Sequence, residues 1–363
     1  MKRILVLSLL LALVLPARAQ RVSLEADIRF HSALVNNEFD VSDNALMPSL
    51  TIAVARLTPY VGLRFGEGDH RLMAGVDAVR DFGTPGTPLT VEPVFWYQYN
   101  RKSFTLAAGI YPRALLGGEY SSAILSDPVR FYDAHLEGFM LCWKKGRSNY
   151  EIALDWNGKY GALRREQFNV ISAGRGWLNS WLGFGWEGMF HHYACSQEVN
   201  GVVDDHILHP YVLADFSSFT GLEALSLQAG AIVGYQADRI TSRRSIPVGA
   251  SLVADVRKWG FGLRNEAYYG DSQAPYFHDR DEAGNIYASN LYIRSSVWEI
   301  RPGGGSGFYD RIDLYWGKRL CPQVNVSVRL VAHFTGSGFL GTQQIGQVLV
   351  NLDRLSFKGK GRR

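Results

Sequence analysis

The clearest pattern in the sequence is a regular alternation of apolar and polar side chains. From Val22 to Phe30 every second residue is apolar, and the residues between them include Asp27 and Arg29. A period of two residues is typical of a β-strand with one face in an apolar environment. The same alternation recurs at residues 104–110, 150–156, 250–257, 324–334 and 348–353. No long helical period competes with it, so the sequence predicts an all-β protein.

The length and spacing of these segments favour a transmembrane barrel over a soluble sandwich. Tilted strands of about ten residues cross a bilayer, and bacterial barrels alternate short periplasmic turns with longer extracellular loops. We predict a transmembrane antiparallel β-barrel of about sixteen strands. The predicted strands are residues 22–32, 49–66, 70–82, 90–100, 102–112, 133–145, 148–157, 166–174, 180–193, 206–217, 222–236, 247–257, 260–270, 307–318, 323–334 and 344–357.

One segment strains this count. Residues 290–300 look strand-like by themselves, and counting them gives an odd number, which a bacterial barrel rarely has. We therefore assign residues 271–306 to one long extracellular loop. Eighteen or fourteen strands are the alternatives.

The N-terminal residues predict a secretory signal peptide. Lys2 and Arg3 precede an apolar run, and Ala17 and Ala19 give the pattern that signal peptidase cleaves. We expect a signal peptide at residues 1–19, a barrel at 20–357 and a basic tail at 358–363. Loss of three basic residues with the signal peptide takes the formal net charge from +4 to +1, which argues against nucleic acid as a partner.

Aromatic residues make up 13% of the chain, including nine tryptophans. Such rings favour membrane interfaces, where the apolar body meets lipid and the polar edge meets water. Eight tryptophans in or beside predicted strands, Trp96 and Trp259 among them, are therefore expected in interface belts.

The C-terminal strand resembles the signal by which bacterial outer-membrane proteins are recognised for barrel insertion. Gly346, Val348, Val350 and Leu352 alternate before Phe357, although six further residues follow. Together with the strand rhythm, the mature chain resembles an outer-membrane barrel of the porin type. The resemblance implies an outer-membrane location with both termini in the periplasm, insertion by the barrel-assembly machinery, contact with outer-membrane lipid and a possible homo-oligomer.

Porins of sixteen strands fold the loop after their fifth strand into the pore. The corresponding loop here is Pro112–Tyr132. By resemblance its acids, Glu119 and Asp127, would face cationic side chains such as Arg29, Arg64 or Arg257 across a constriction; an ordinary surface loop is the alternative. The candidate pore-lining or constriction residues are Glu119, Asp127, Arg29, Arg64, Asp155, Asp255, Arg257, Arg311 and Arg329.

The favoured function is passive diffusion of small polar solutes or ions, without cofactor or metal. A loop-plugged receptor, adhesin or accessory subunit of a secretion or assembly machine is the second hypothesis. An outer-membrane lipid-modifying enzyme is the third, but neither His31–Ser32 nor His191–His192 makes a convincing site, so we expect no enzyme. Calcium binding at residues 279–284 is considered and not favoured, because the closing acid of a calcium loop is missing.

Overall fold

The computed structural model describes residues 22–39, 49–83, 86, 88–198, 200–239, 242–273 and 305–356. Nearly all of them lie in strands, because the two-residue period leaves little for helices. The strands are β1 (Ser23–Phe39), β2 (Leu50–Phe65), β3 (His70–Asp81), β4 (Thr90–Arg101), β5 (Phe104–Pro112), β6 (His135–Lys145), β7 (Ser148–Gly158), β8 (Gln167–Trp177), β9 (Leu182–Tyr193), β10 (Val203–Asp215), β11 (Ala224–Asp238), β12 (Arg243–Ser245), β13 (Val248–Lys258), β14 (Phe261–Asp271), β15 (Ser306–Cys321), β16 (Val324–Thr335) and β17 (Gly338–Ser356). A short helix, α1 (Asp127–Tyr132), follows β5.

All the strands belong to one antiparallel sheet that closes on itself. Each strand pairs with its sequence neighbours, and β1 pairs with both β2 and β17. The short β12 pairs with the end of β11, on the same side of β11 as β13. It therefore adds no further strand to the circumference of the barrel. The result is a closed barrel of sixteen strands, as the sequence predicts. Closure leaves no unpaired edge, which a bilayer requires.

The connections divide the barrel into two rims. The terminal rim carries the start of β1 and the end of β17, together with short turns such as Gly66–Gly68 and Trp259–Gly260. Trp259 and Gly260 both have positive φ (57° and 80°), as a two-residue turn between twisted strands requires. The distal rim carries the long connections, with the tight turn at Gly336–Ser337 as an exception. The connection between β16 and β17 is shorter than predicted, because β17 begins at Gly338 instead of residue 344.

The two faces of the strands differ in the predicted way. On β13, Leu252 points outward and is 45% exposed, whereas its neighbour Ser251 points inward and is 6% exposed. On β7, Ile152 is exposed and Glu151 is buried. The expectation for Trp96 is wrong: it is buried inside the barrel, with its ring centroid 4.8 Å from that of Tyr60. An inward ring fits there because the lumen on that side is filled by protein, as described below.

Four expectations concern residues that lie wholly or mostly outside the described ranges: the signal peptide at 1–19, the tail at 358–363, calcium binding at 279–284, and the assignment of 271–306, with the strand-like residues 290–300, to one extracellular loop. Among the residues that the structure describes, no helix is long and apolar enough to span a membrane.

Candidate functional site in the barrel lumen

The connection between β5 and β6, residues 113–134, folds into the barrel, and we call it the plug segment. Its middle is apolar, and Ala123, Ile124 and Leu125 are at most 2% exposed. They belong to one buried cluster with inward-facing residues of the wall, including Tyr60 and Met140. Burial of these side chains holds the segment against the wall, because exposure of each would lose roughly 1–3 kcal/mol of apolar transfer free energy.

Two buried glutamates on the wall anchor the backbone of the plug segment. Glu151 on β7 accepts hydrogen bonds from Gly117 N (2.6 Å) and from the hydroxyl of Tyr120 (2.7 Å). Glu187 on β9 accepts one from Ser121 N at 2.5 Å. Carboxylates satisfy backbone donors that have no ladder partner, which is the condition for burying an irregular segment. The plug segment is therefore fixed by charge-assisted hydrogen bonds as well as by packing.

Ion pairs hold both predicted acids of the plug segment. Glu119 pairs with Arg175 of β8 at 3.0 Å, and Asp127 pairs with Arg311 of β15 at 3.1 Å. Burial by itself would raise the pKa of Asp127, but Arg311 and Arg329 outweigh it and hold the pKa below its usual value. At Glu119, burial by itself would also raise the pKa, but Arg175 outweighs it and holds the pKa below its usual value. Both acids are therefore carboxylates at neutral pH.

Two cavities lie on either side of the plug segment. The first, of about 580 Å³, is lined on the distal side by residues such as Asn37 and Gln343. The second, of about 450 Å³, reaches terminal-rim residues such as Gly146. The residues that line both cavities are Glu119, Asp255 and Arg264. These three charged side chains lie where the two cavities meet.

The other predicted site residues lie on the inner wall but do not meet at one point. The structure pairs Glu119 and Asp127 with Arg175 and Arg311, not with the expected Arg29, Arg64 or Arg257. Arg29 lies over the ring of Tyr60, with 5.9 Å from its Cζ to the ring centroid. Arg64 donates to Gly68 O (3.0 Å), and Arg257 pairs with Glu223 at 3.1 Å, both near the terminal rim.

Three further predicted residues have separate positions. Asp155 is 1% exposed and accepts a hydrogen bond from Glu137 N at 3.0 Å, with Arg113 of the plug segment 3.5 Å away. Asp255 accepts a hydrogen bond from the Tyr315 hydroxyl at 2.9 Å. Arg329 lines the first cavity. A pore-lining role for the predicted residues stays a prediction.

Sequence reasoning missed a buried polar chain on the inner wall, formed by Glu187, His209 and Ser251. Nδ1 of His209 lies 2.7 Å from Oε1 of Glu187, and Nε2 lies 2.6 Å from Oγ of Ser251. The three residues are 2%, 1% and 6% exposed. They come from β9, β10 and β13. His209 is 22 residues from Glu187 and 42 residues from Ser251, so no short sequence motif contains all three.

Gly230 of β11 lies between the histidine and the serine. A Cβ built on Gly230 would lie 2.7 Å from Nε2 of His209 and 2.6 Å from Pro210 O. Real Cβ atoms do not approach that closely, so a side chain there would displace the imidazole. The glycine allows the His209 ring to reach across β11 to Ser251.

The histidines considered from the sequence are placed differently. His31 contacts Phe131 of the plug segment, with 4.5 Å between ring centroids. His191 and His192 lie on opposite faces, as expected: Nδ1 of His191 lies 2.5 Å from Asn169 Oδ1 in the interior, and Nδ1 of His192 lies 2.7 Å from Asp204 Oδ1. Within the described part of the chain, no group of three or more His, Cys, Asp or Glu side chains is arranged to hold a metal ion.

The chain matches one protein family over part of its length. Residues 16–192 match the family described as Lipid A 3'-O-deacylase-type. The match covers β1 to β9 except for the last residue of β9, and it includes Glu187 but neither His209 nor Ser251. It contradicts the expectation that the protein is no enzyme. That expectation relied on the absence of local sequence motifs. Residues that are brought together only by barrel closure are distant in the sequence and do not form such a motif. No curated protein matches the sequence.

Solved structures with a similar fold include an outer membrane protein of Vibrio cholerae. The loop L8 deletion mutant of OmpT of Vibrio cholerae is 8% identical, with a TM-score of 0.50, and the alignment covers 92% of this chain and 100% of that one. OpdO of Pseudomonas aeruginosa is 9% identical, with a TM-score of 0.49 and coverage of 92% and 98%. A mutant of Rh. blastica porin is 12% identical, with a TM-score of 0.42 and coverage of 92% and 100%.

The closed barrel of sixteen strands, its apolar outer face and its charged lumen define the class. The protein has the fold of an outer-membrane β-barrel of the porin type.

Proposed function

We propose that the protein is a channel through which small polar solutes or ions diffuse across the outer membrane. The observation that supports this proposal is the pair of cavities that share Glu119, Asp255 and Arg264. A sixteen-strand barrel is too wide for its wall side chains alone to fill. Here the plug segment fills the side of the lumen near β2–β9, and the first cavity borders β1, β2 and β13–β17.

Charge at the shared residues would set the preference of the channel. The two carboxylates and one guanidinium of these shared residues lie where the cavities meet, and Arg175 on the wall neutralises the charge of Glu119. Rings of fixed charge select among ions by favouring the opposite sign. Little preference between small cations and anions is therefore expected, since Arg175 balances Glu119 and Arg264 balances Asp255.

Conductance in a planar bilayer tests the channel. We expect ohmic conductance from the purified protein, and a higher conductance after deletion of residues 117–127, because the deletion removes the barrier between the cavities. Glu119→Lys should shift selectivity toward anions. Glu198→Lys, at an exposed position of the distal rim, is the matched control and should leave selectivity unchanged.

A folded protein that never conducts, even after the deletion, would refute the channel. In that case a loop-plugged receptor, adhesin or accessory subunit becomes the better proposal, because the barrel would then serve as a scaffold for its distal loops.

We also propose the orientation and the insertion route that the strand rhythm implies. The terminal rim would face the periplasm, since it carries the short turns, and β17 would present the recognition signal to the barrel-assembly machinery. The orientation is tested by the insertions described in the Discussion.

A second function, hydrolysis of acyl esters of the lipid A type, is favoured by the family match to residues 16–192. Expression of the protein in cells and mass spectrometry of their lipid A tests this function. Loss of one acyl chain, in comparison with cells that carry the empty vector, would support it. Unchanged lipid A, with the protein folded in the outer membrane, would refute it.

A further inference from the structure

We propose that Ser251, His209 and Glu187 form a serine-hydrolase site inside the barrel that cleaves small water-soluble carboxylic esters. The family match does not assign this site, because His209 and Ser251 lie beyond residue 192. Ser251 faces the lumen, which membrane lipid does not reach, so the substrate must enter with water. The inference therefore depends on the water-filled lumen of the proposed channel.

The geometry assigns a role to each group. A carboxylate only accepts hydrogen bonds, so Nδ1 of His209 carries the proton and donates it to Glu187 Oε1. Nε2 is then the unprotonated nitrogen, and it accepts from the hydroxyl of Ser251 at 2.6 Å. A nucleophile, a base and an acid that orients the base, each within hydrogen-bond reach of the next, are the arrangement that activates a serine.

Burial makes the arrangement specific. Each of the three residues is at most 6% exposed, so none of them has bulk water as an alternative partner. Both nitrogens of His209 are occupied, and the ring lies against Tyr211 with 5.6 Å between centroids. The absence of a side chain at Gly230 leaves room for the imidazole between strands that do not pair with each other. The contact between His209 and Ser251 thus bridges across β11.

The plug segment controls access to the site. Ser121 N donates to Oε2 of Glu187, the oxygen that His209 does not use. Ser121 and Ser122 also line the first cavity, together with Glu266 of β14, the strand that pairs with β13. The side chain of Ser121 has a buried hydroxyl oxygen without a hydrogen-bond partner in the described part of the chain. A small shift of the segment would therefore open a path from the first cavity to Ser251.

The reaction needs only the ester and water. Oγ of Ser251 attacks the ester carbonyl carbon while Nε2 of His209 takes the hydroxyl proton. The bond between the carbonyl carbon and the alkoxy oxygen breaks, and the leaving alcohol receives that proton. Water then attacks the acyl-serine, with His209 again as base, and releases the carboxylic acid and the free hydroxyl. Glu187 stabilises the imidazolium in both steps.

Covalent labelling of the full-length protein in detergent tests the site. Diisopropyl fluorophosphate, a small probe, is expected to modify Ser251 with loss of fluoride, and peptide mass spectrometry locates the adduct. Ser251→Ala should abolish this adduct, and His209→Gln should slow labelling at least about 100-fold, the lower range for loss of a general base. Ser226→Ala removes another serine that lines the lumen and should label as the wild type does.

Two further variants keep the outcome decisive. Gly230→Ala should slow labelling while the barrel still resists detergent when unheated, because the added methyl displaces the His209 ring. Deletion of residues 117–127 should accelerate labelling if the plug segment limits access. Failure of Ser251 to react in both the wild type and the deletion variant, with both folded, would overturn the proposal. That result would leave the channel untouched, since conductance is measured separately.

Discussion

At the scale of single residues, position on the strand decides the environment. Alternate residues of β13 are exposed to lipid or enclosed by the lumen, and Leu252 and Asp255 represent the two cases. The same change of charge therefore has different consequences three residues apart.

Substitution on the two faces of β13 tests this difference. Leu252→Arg should destabilise the barrel by roughly 2–4 kcal/mol if it lies near the bilayer midplane, and less protein should reach the heat-modifiable form. Asp255→Asn should assemble normally, because an asparagine oxygen still accepts from Tyr315. Folding titrations into lipid vesicles measure both effects, and equal tolerance at the two positions would contradict the assigned facing.

The ion pair of Asp127 predicts a response to acid. Its pKa is below the usual value, so the pair stabilises the closed plug segment above the unfolded pKa of about 3.9 and loses that contribution as pH falls through the lower folded value. We expect a rise in conductance below about pH 4 that depends on Asp127. Asp127→Asn removes the titrating group and should already be more conductive at pH 7. An equal rise below pH 4 in the wild type and in Asp127→Asn would show that this pair does not hold the plug segment.

At the scale of elements, the plug segment is the part of the lumen that can move without opening the barrel. Its anchors are side chains of the wall, whereas the ladder hydrogen bonds of the strands do not involve it. The segment and the barrel therefore have separable stabilities.

Removal of one anchor should show that separation. Glu151→Ala leaves Gly117 N and the Tyr120 hydroxyl without their acceptor, at a cost of about 1–3 kcal/mol for the buried hydroxyl. We expect faster protease cleavage within residues 113–134 and noisier conductance, with unchanged heat-modifiability. Glu223→Ala, which removes the partner of the part-exposed Arg257 at the terminal rim, is the control and should cleave at the wild-type rate. Unchanged cleavage in Glu151→Ala would show that packing alone holds the segment.

At the scale of the whole molecule, closure joins the first and last strands. β1 and β17 pair over most of their length, so a detergent-resistant fold requires both ends of the chain. Unheated samples should migrate differently from heated ones on a gel, and truncation before β17 should remove the difference.

Orientation is also a property of the whole barrel. Epitope insertions after Glu198 or Gly336, at the distal rim, should be detected on intact cells. Insertions after Gly146 or Gly221, at the terminal rim, should be detected only after the outer membrane is opened. The reverse result would place the termini outside.

The local pattern of the sequence determined the strands and their facing. A two-residue period is a property of neighbouring residues, so six of the strands and the inward position of Glu151, Asp155 and Asp255 follow from it directly. The remaining strands follow from the spacing of turns and loops along the chain. The resemblance to porins, whose loop after the fifth strand folds inward, also pointed to the plug segment, with a surface loop as the alternative.

Tertiary structure alone decided which inward residues meet. Barrel closure, strand tilt and register bring Asp127 to Arg311 across 184 residues, and they bring Glu187, His209 and Ser251 together from three strands. Glycine at position 230 looks like any other glycine in the sequence, and only the fold places an imidazole across it. Contacts between strands depend on register summed around the whole barrel, and no short stretch of sequence contains that information.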